Sequence, residues 1–595
     1  MRSLPDDRGR PPVHPGPGAF PRGAARARAG AGRRARAAAG ERDRARRGRH
    51  HAQPGDRARG GDVALRLALV LLGSSLAVSA QAQRSVYTDV GQAIEAEADT
   101  TIQAHGALRT RAEALYNLDL DRGLTPSGQA LFPVPLADPT GQWLTHADMR
   151  LRTDVSLIVP AAGMALHVRI DALDNLALGS QPDGVPSVTT SQRPANEPIR
   201  IERAYGQVLT PFGLLAAGRM GNHWGLGMLA NGGDCASCDS GDAADRIAFF
   251  TPLLGHVWGI AYDFSAIGPT TPRNHPGRVV DVEPSDDVRT ITFAMIDFAT
   301  DVTRRRRARA GLATLEYGAY VSHRRQDTDV PAHYLPAANP PELDRGQVMS
   351  RGFRATAVDV WGRLTLPYGR IEVEAALLTA RIDQPSLLPG VELRDTYRSR
   401  QIGAAFESDF GPDHALGQSP WSLGLDAGFA SGDPAPGFGA LLGSRNEGPT
   451  QAAPQPGDID GPQAFAPSDT RVDNFRFHPD YRIDRILFRE IIGTVTDAIY
   501  LKPHARIRLA SLGKGRLELG LAAVASMAVE VASTPGGSRG LGVELDPTLA
   551  YVSTNGFAAS LEYAALFPLA GLDNPTAGLD AKPAQLLRLR LGFNF

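Results

Sequence analysis

Leu587-Arg588-Leu589-Arg590-Leu591-Gly592-Phe593-Asn594-Phe595 ends the chain with every odd position apolar and every even one polar or small. Side chains alternate between the two faces of a β-strand, so this order sends the apolar residues to one side and both arginines to the other. On a helix the same order scatters arginine around the axis, where no single apolar environment can accept it. The stretch therefore reads as a strand with one greasy and one charged face.

The same alternation recurs upstream. Met149, Leu151, Val155, Leu157 and Val159 interleave with Asp148, Arg150, Arg152, Asp154 and Ser156. Leu166, Val168 and Ile170 interleave with His167, Arg169 and Asp171, Ile371 and Val373 with Glu372 and Glu374, and Leu517, Leu519 and Leu521 with Arg516, Glu518 and Gly520. A soluble sandwich also alternates, but segments of roughly ten residues have the span of strands that cross a bilayer. The connections separate the two architectures better. Short links with hairpin-turn chemistry fall at Pro160–Gly163, Thr210–Gly213, Pro367–Gly369, Ser511–Gly515 and Ser553–Gly556. Between them lie long polar stretches rich in Pro and Gly, at 119–144, 175–197, 221–244, 267–286, 326–350, 383–397, 432–484 and 568–584. Short and long largely alternate, as they do in a transmembrane antiparallel β-barrel with short periplasmic turns and long external loops.

With that rule the sequence predicts an all-β fold with strands near 104–118, 145–159, 163–174, 198–209, 213–220, 246–253, 256–266, 287–299, 311–324, 351–366, 370–382, 398–411, 420–431, 496–511, 515–531, 540–553, 556–567 and 585–595. That makes about eighteen, with sixteen as the alternative, and an even number brings both termini to the same side.

Composition agrees with this reading. The 595 residues show one repeated texture, and no stretch after residue 84 approaches the apolar run of about 18 that a spanning helix needs. A helical membrane protein is excluded. The net charge of −1 conceals an arginine-rich beginning, and the remainder of the chain is mildly acidic. Nucleic acid is therefore not an expected partner.

Residues 1–62 are dominated by Arg, Ala, Gly and Pro, a composition that cannot build a core. At 63–82, Arg66 precedes the apolar run Leu67 to Val78 and the small-residue site Ala80-Gln81-Ala82, the signature of a signal peptide. We expect 1–62 to be a disordered leader from an over-extended gene start near Val63, with a long basic leader as the alternative and a nucleic-acid-binding arm as a lesser one. Residues 83–103 are expected to form a short periplasmic segment, helical around Val90 and Ile94, with the barrel at 104–595.

The terminal Phe595, preceded by alternating apolar residues, resembles the C-terminal signature of bacterial outer-membrane proteins that the insertion machinery recognises. GALRTRAEALYNLDLDRG at 106–123 and GRMGNHWGLGMLANGGDCASCDSGDAADR at 218–246 resemble an uncharacterised family of outer-membrane barrels, found chiefly in myxobacteria, from roughly residue 100 to the end. The resemblance implies an outer-membrane location, with lipid and the insertion machinery as partners, and brings no activity.

Candidate sites are few. Asp234, Asp239, Asp242 and Asp245 crowd one Gly-rich stretch, a candidate calcium site because calcium takes hard oxygen ligands. Their spacing is not that of an EF-hand, so a hydrated acidic turn is the plainer reading. The same stretch holds both cysteines of the chain, Cys235 and Cys238, for which a local disulfide is expected in an oxidising compartment; zinc would lack a second cysteine pair. Arg150, Arg152, Arg169, Asp171, Glu372, Glu374, Arg506, Arg508, Arg588 and Arg590 fall on the charged faces and are candidate pore-lining residues. The plainer reading is that they pair with neighbours in an interior that must be polar. The run Arg304–Arg307 is expected in a periplasmic turn, as a solvated face. Trp143, Trp258, Trp361 and Trp421 are expected to serve interfacial girdles, and Trp224 to pack or stack in a loop.

H-E-x-x-H, G-x-S-x-G and P-loop signatures are missing, so no enzyme is expected, and beyond the candidate calcium no cofactor. The leading expectation is a porin-like channel for small polar solutes, since barrels of this size enclose an aqueous lumen. The alternatives are a surface-displayed binding or structural barrel plugged by its long loops, 432–484 above all, and an export or uptake barrel for an acidic polysaccharide.

Overall fold

The computed structural model describes residues 94, 99–128, 130–133, 142–179, 199–265, 268, 286–329, 348–386, 391–440 and 454–595. The expected leader and signal peptide, and most of the segment at 83–103, lie outside the described residues.

The strands are β1 (Thr101–Tyr116), β2 (Trp143–Val159), β3 (Met164–Ala177), β4 (Arg200–Thr210), β5 (Gly213–Gly221), β6 (Ala243–Leu253), β7 (His256–Ser265), β8 (Val288–Asp297), β9 (Thr314–Asp329) and β10 (Met349–Leu366). They continue as β11 (Gly369–Ile382), β12 (Tyr397–Phe410), β13 (Trp421–Ala430), β14 (Ala498–Leu512), β15 (Gly515–Ala528), β16 (Gly540–Leu545), β17 (Thr548–Ser553), β18 (Phe557–Pro568) and β19 (Ala584–Asn594). β16 and β17 both lie between β15 and β18. They are halves of one strand, broken at Asp546-Pro547 because proline has no N–H to give to the ladder. The barrel thus has eighteen staves rather than sixteen, each paired antiparallel with its sequence neighbours. Every predicted strand is present, with ends displaced by a few residues.

Closure joins the first strand to the last, from Ala107↔Asn594 to Tyr116↔Gln585. Gly106 and Phe595 extend the seam, each donating its N–H to the other's carbonyl at 3.0 Å. A β-carbon on residue 106 would stand 2.7 Å from the Arg152 carbonyl oxygen and against the Phe595 ring, so glycine is the residue that fits here without a shift of the backbone.

Burial is inverted relative to a soluble protein. In β19 the outward Leu587, Leu589 and Phe593 are 44–46% exposed, whereas the inward Arg588 is 2% exposed. Outward Leu561, Leu521, Leu423 and Phe293 repeat the pattern around the wall. Such a continuous apolar exterior is stable only in lipid. This is a transmembrane β-barrel of the outer-membrane type.

The short turns all fall at one end and the long connections at the other, as predicted. One short turn differs from expectation: Arg304–Arg307 belongs to a helix, α1 (Asp301–Arg309), capped by the Thr300 side chain on the Thr303 N–H. Among the tryptophans, Trp143, Trp258 and Trp421 are 43–54% exposed on the outer wall, but Trp361 is buried inside and donates to Glu372, so it serves no girdle.

Among the described residues, the 454–497 and 222–242 segments fold into the lumen, and Leu118, Leu120 and Leu131 of the β1–β2 connection and Leu572 of the β18–β19 connection join the first of them. The 454–497 part of the β13–β14 connection buries Phe475, Phe477, Tyr481, Ile483, Ile486, Leu487, Phe488, Ile491, Ile492 and Val495 in one apolar cluster. Its wall side is made of small inward residues, including Ala376, Ala405, Ala430, Ala498, Ala528 and Ala564. Gly403 leaves room for the ring of Phe475. The second inward connection, 222–242 between β5 and β6, inserts Trp224 into a cluster with Met220, Phe250, Ile296 and Trp361. Ile94 of the N-terminal segment is buried in that cluster too, alongside Ile158, Ala165 and Leu214.

Candidate functional site: an arginine seam between the inward loops

Period-two geometry places Arg109, Arg111 and Glu113 of β1, Arg150 and Arg152 of β2, Arg169 and Asp171 of β3, and Arg588 and Arg590 of β19 on one contiguous arc of the inner wall. The inward loops meet that arc. Trp224 Nε1 donates to Asp359 at 3.1 Å, and the Leu226 and Leu229 N–H groups donate to Glu374, pinning the start of the 222–242 loop to β10 and β11. Across the lumen its tip faces the arginines with backbone carbonyls. Arg150 donates to Cys238 O at 2.6 Å, Arg152 to Gly233 O at 2.6 Å, and Arg203 and Arg482 to Gly232 O and Ser237 O. Guanidinium groups buried this deeply need such partners, because an unpaired buried donor costs about 1–3 kcal/mol.

Cys235 and Cys238 form a disulfide within that tip. The four aspartates of the candidate calcium site are not brought together; each goes to a separate partner. Asp234 pairs with Arg169 and Arg203, and Asp239 with Arg109, Arg111, Arg482 and Arg489. Asp242 accepts from the Asn231 N–H and lies 3.5 Å from His478, and Asp245 pairs with Arg219 on the outer wall. This is an arginine–carboxylate network and not a convergent oxygen cage. Burial alone would raise Asp239, but Arg482, Arg111 and Arg109 hold its carboxyl well below the usual range. Asp234 is likewise held low, by Arg203 and Arg169 against the effect of burial. Burial pushes the neighbouring His223 ring down to about 4.

The ten candidate pore-lining residues all face inward, and most are paired. Arg152 meets Asp171 at 2.6 Å, Arg169 meets Asp154 at 2.7 Å, and Arg506 meets Glu518 at 3.1 Å. Glu372 is shared by Arg363 and Arg370, and Arg508 donates to Ser419 O at 3.3 Å. Arg588 binds Glu113, Glu490 and Glu562, and Arg590 binds Glu562 at 3.1 Å. Where the two loops meet β1 and β19, Arg109, Arg111, Ser237, Arg489, Arg588 and Arg590 line a tight crevice with no room for a water-sized sphere.

Four of these six lining residues are not among those that sequence reasoning picks out. Arg109-Thr110-Arg111-Ala112-Glu113 carries the same alternation as the other charged faces, so Arg109 and Arg111 are within reach of the rule. Arg489, and Arg482 beside it, lie in a segment without periodicity, and no local signal marks them.

No family model and no curated protein matches the chain. Among solved structures, OccK9 (OpdG) of Pseudomonas aeruginosa is similar at 14% identity and TM-score 0.41, over 83% of this chain and 98% of that one. OccK8 (OprE) of the same organism gives 8% identity and TM-score 0.40 over 84% and 99%. In-vitro folded OmpT, an outer membrane protein of Vibrio cholerae, gives 10% identity and TM-score 0.30 over 84% and 99%. The barrel assignment rests on the strand pairing and the apolar exterior, not on these likenesses.

Proposed function

We propose that the protein is an outer-membrane channel for small polar solutes, with passage confined to the arginine seam and anions favoured over cations. The observation that carries this reading is the convergence of Arg109, Arg111, Arg489, Arg588, Arg590 and Ser237 on one narrow crevice where two inward loops meet the wall. Five guanidinium groups and one hydroxyl can replace part of an anion's hydration shell, and apolar packing on either side strengthens their field. In a planar bilayer under a potassium chloride gradient, the native barrel should give discrete steps with a reversal potential on the anion-selective side. Arg588→Gln combined with Arg590→Gln should move that potential toward cation selectivity. Native steps that favour cations would contradict the reading.

A second reading is favoured by one observation, the apolar cluster formed by 475–495 against the inner wall, which is packed like a globular core. In that reading the insertion is a plug and the barrel serves binding or structure at the surface. It predicts no steps from the native protein.

A further inference from the structure

Asp239 stands out among the interior carboxylates. Its Oδ1 lies 2.8 Å from Arg109, and its Oδ2 lies 3.0 Å from Arg111, 2.8 Å from Arg482 and 3.4 Å from Arg489. Arg109 and Arg111 belong to the wall, Arg482 and Arg489 to the 454–497 insertion, and Asp239 to a third element, the tip of the 222–242 loop. Mere neutralisation of one carboxylate needs one cation, and four guanidinium groups converging on it make a receptor for an anion.

The tip is built to hold the carboxylate there. The Asp239 and Ser240 N–H groups donate to the two oxygens of Asp480 at 2.9 and 2.8 Å. The Cys235–Cys238 disulfide closes the turn immediately before it, and Arg482 donates to Ser237 O from the other side. The Asp239 side chain nevertheless keeps 23% exposure, against 5–14% for its four arginines, so solvent reaches the site on the side where Asp239 enters.

Charge accounting gives the consequence. Among the described residues, Arg109, Arg111, Arg482, Arg489, Arg588 and Arg590 are tied by ion pairs to Glu113, Asp148, Asp239, Asp480, Glu490 and Glu562. Arg485 also meets Glu562 and Asp546, so seven guanidinium groups face seven carboxylates, and removing Asp239 leaves this set one positive charge in excess with an empty four-guanidinium site.

We propose that Asp239 is a tethered counter-anion: its carboxylate occupies a site that otherwise binds a small carboxylate solute, and in doing so sets the anion preference of the seam. The proposal deepens the channel reading and rests on it for the effect on permeation, but the binding site itself does not require conduction. Asp239→Ala removes the carboxylate and leaves a space the size of formate, and Asp239→Asn keeps the shape and removes the charge.

The test uses the full barrel in detergent, with thermal unfolding followed by the loss of heat-modifiable migration. Asp239→Ala should be less stable than native and should regain stability with formate in a saturable way, while chloride at the same ionic strength leaves it unchanged. Native protein should show no such response, because its site is filled. Asp239→Gly, which also empties the site, serves if the alanine variant does not fold, and Asp239→Asn, whose carboxamide still fills the space, should lose stability without responding to formate. Asp245→Asn, on the outer wall, should respond like native protein. If formate stabilises neither Asp239→Ala nor Asp239→Gly more than chloride does, the proposal is overturned. In bilayers, Asp239→Ala should have a higher anion-to-cation permeability ratio than native, and formate should return the ratio toward the native value. Saturable rescue in a barrel that never conducts keeps the site and removes the channel reading; a conducting barrel without rescue does the reverse.

Discussion

At the scale of single residues, the interior is decided by how each buried charge is satisfied. Asp484 in the inward insertion accepts N–H groups from Phe488 at 2.9 Å and Arg489 at 3.2 Å. Burial, opposed by those N–H groups and aided by the neighbouring Asp546, pushes its carboxyl up to about 7 from an ordinary 3.8. Burial pushes Asp497 up to about 7 as well, although Ser533 and the Glu530 N–H donate to it. A carboxyl raised on folding binds its proton more tightly in the docked state. Its contribution is therefore complete below pH 4 or so, the unfolded value, and is lost as pH rises through about 7. Lowering the pH from 8 to 6 should protect the insertion against a protease added from the long-loop side, and Asp484→Asn should flatten that dependence. An unchanged pH profile in the variant would assign the dependence to other groups. At this scale the sequence is partly legible. Inward charges on strands such as Arg588 and Arg169 can be read from alternation, but their partners cannot, because Asp234 and Asp239 reach the arginines across the lumen from a loop. Two of the clustered aspartates that read as a cation site, Asp234 and Asp239, are the counter-charges of arginines remote in sequence.

At the scale of elements, the strands are legible because lipid outside and charge inside impose one period on every stave, and a slip of one residue would put Arg588 into lipid. The loops are less so. The 432–484 segment reads as an external loop, with inward folding as an alternative, because its polar and Pro-rich composition masks a run of large apolar residues from Phe475 to Val495. The signal lies on the other side of the contact, in the small residues Gly403, Ala405, Gly428 and Ala430 on inward positions of adjacent strands. Phe477 packs edge-on against Phe475 and Tyr481 at 5.7 and 5.4 Å between ring centres. Phe477→Ala should therefore cost roughly 3–5 kcal/mol of docking energy, the usual effect of deleting a buried ring. The measurable outcome is faster proteolysis within 454–497 while the barrel itself stays heat-modifiable. Equal cleavage rates in variant and native protein would mean that the cluster does not hold the insertion inside.

At the scale of the whole molecule, eighteen staves enclose more space than one layer of side chains fills, and among the described residues the 222–242 and 454–497 segments take up much of it. One half of the lumen is an apolar core built on 475–495, and the other is a charged network built on the 222–242 tip. Under the proposed channel reading, solutes pass along their common boundary, the arginine seam. The register offers a clean way to test that arrangement, because Ala430 and Ala498 face each other at the ends of β13 and β14. A two-residue Asn-Gly turn can replace 431–497 without disturbing either strand. The decisive measurement is single-channel conductance of the native and turn-replaced barrels in the same planar bilayer. The account predicts small anion-selective steps from the native protein, and larger, less selective steps once the insertion that carries Arg482 and Arg489 is gone; equal conductance and equal selectivity in the two would contradict it.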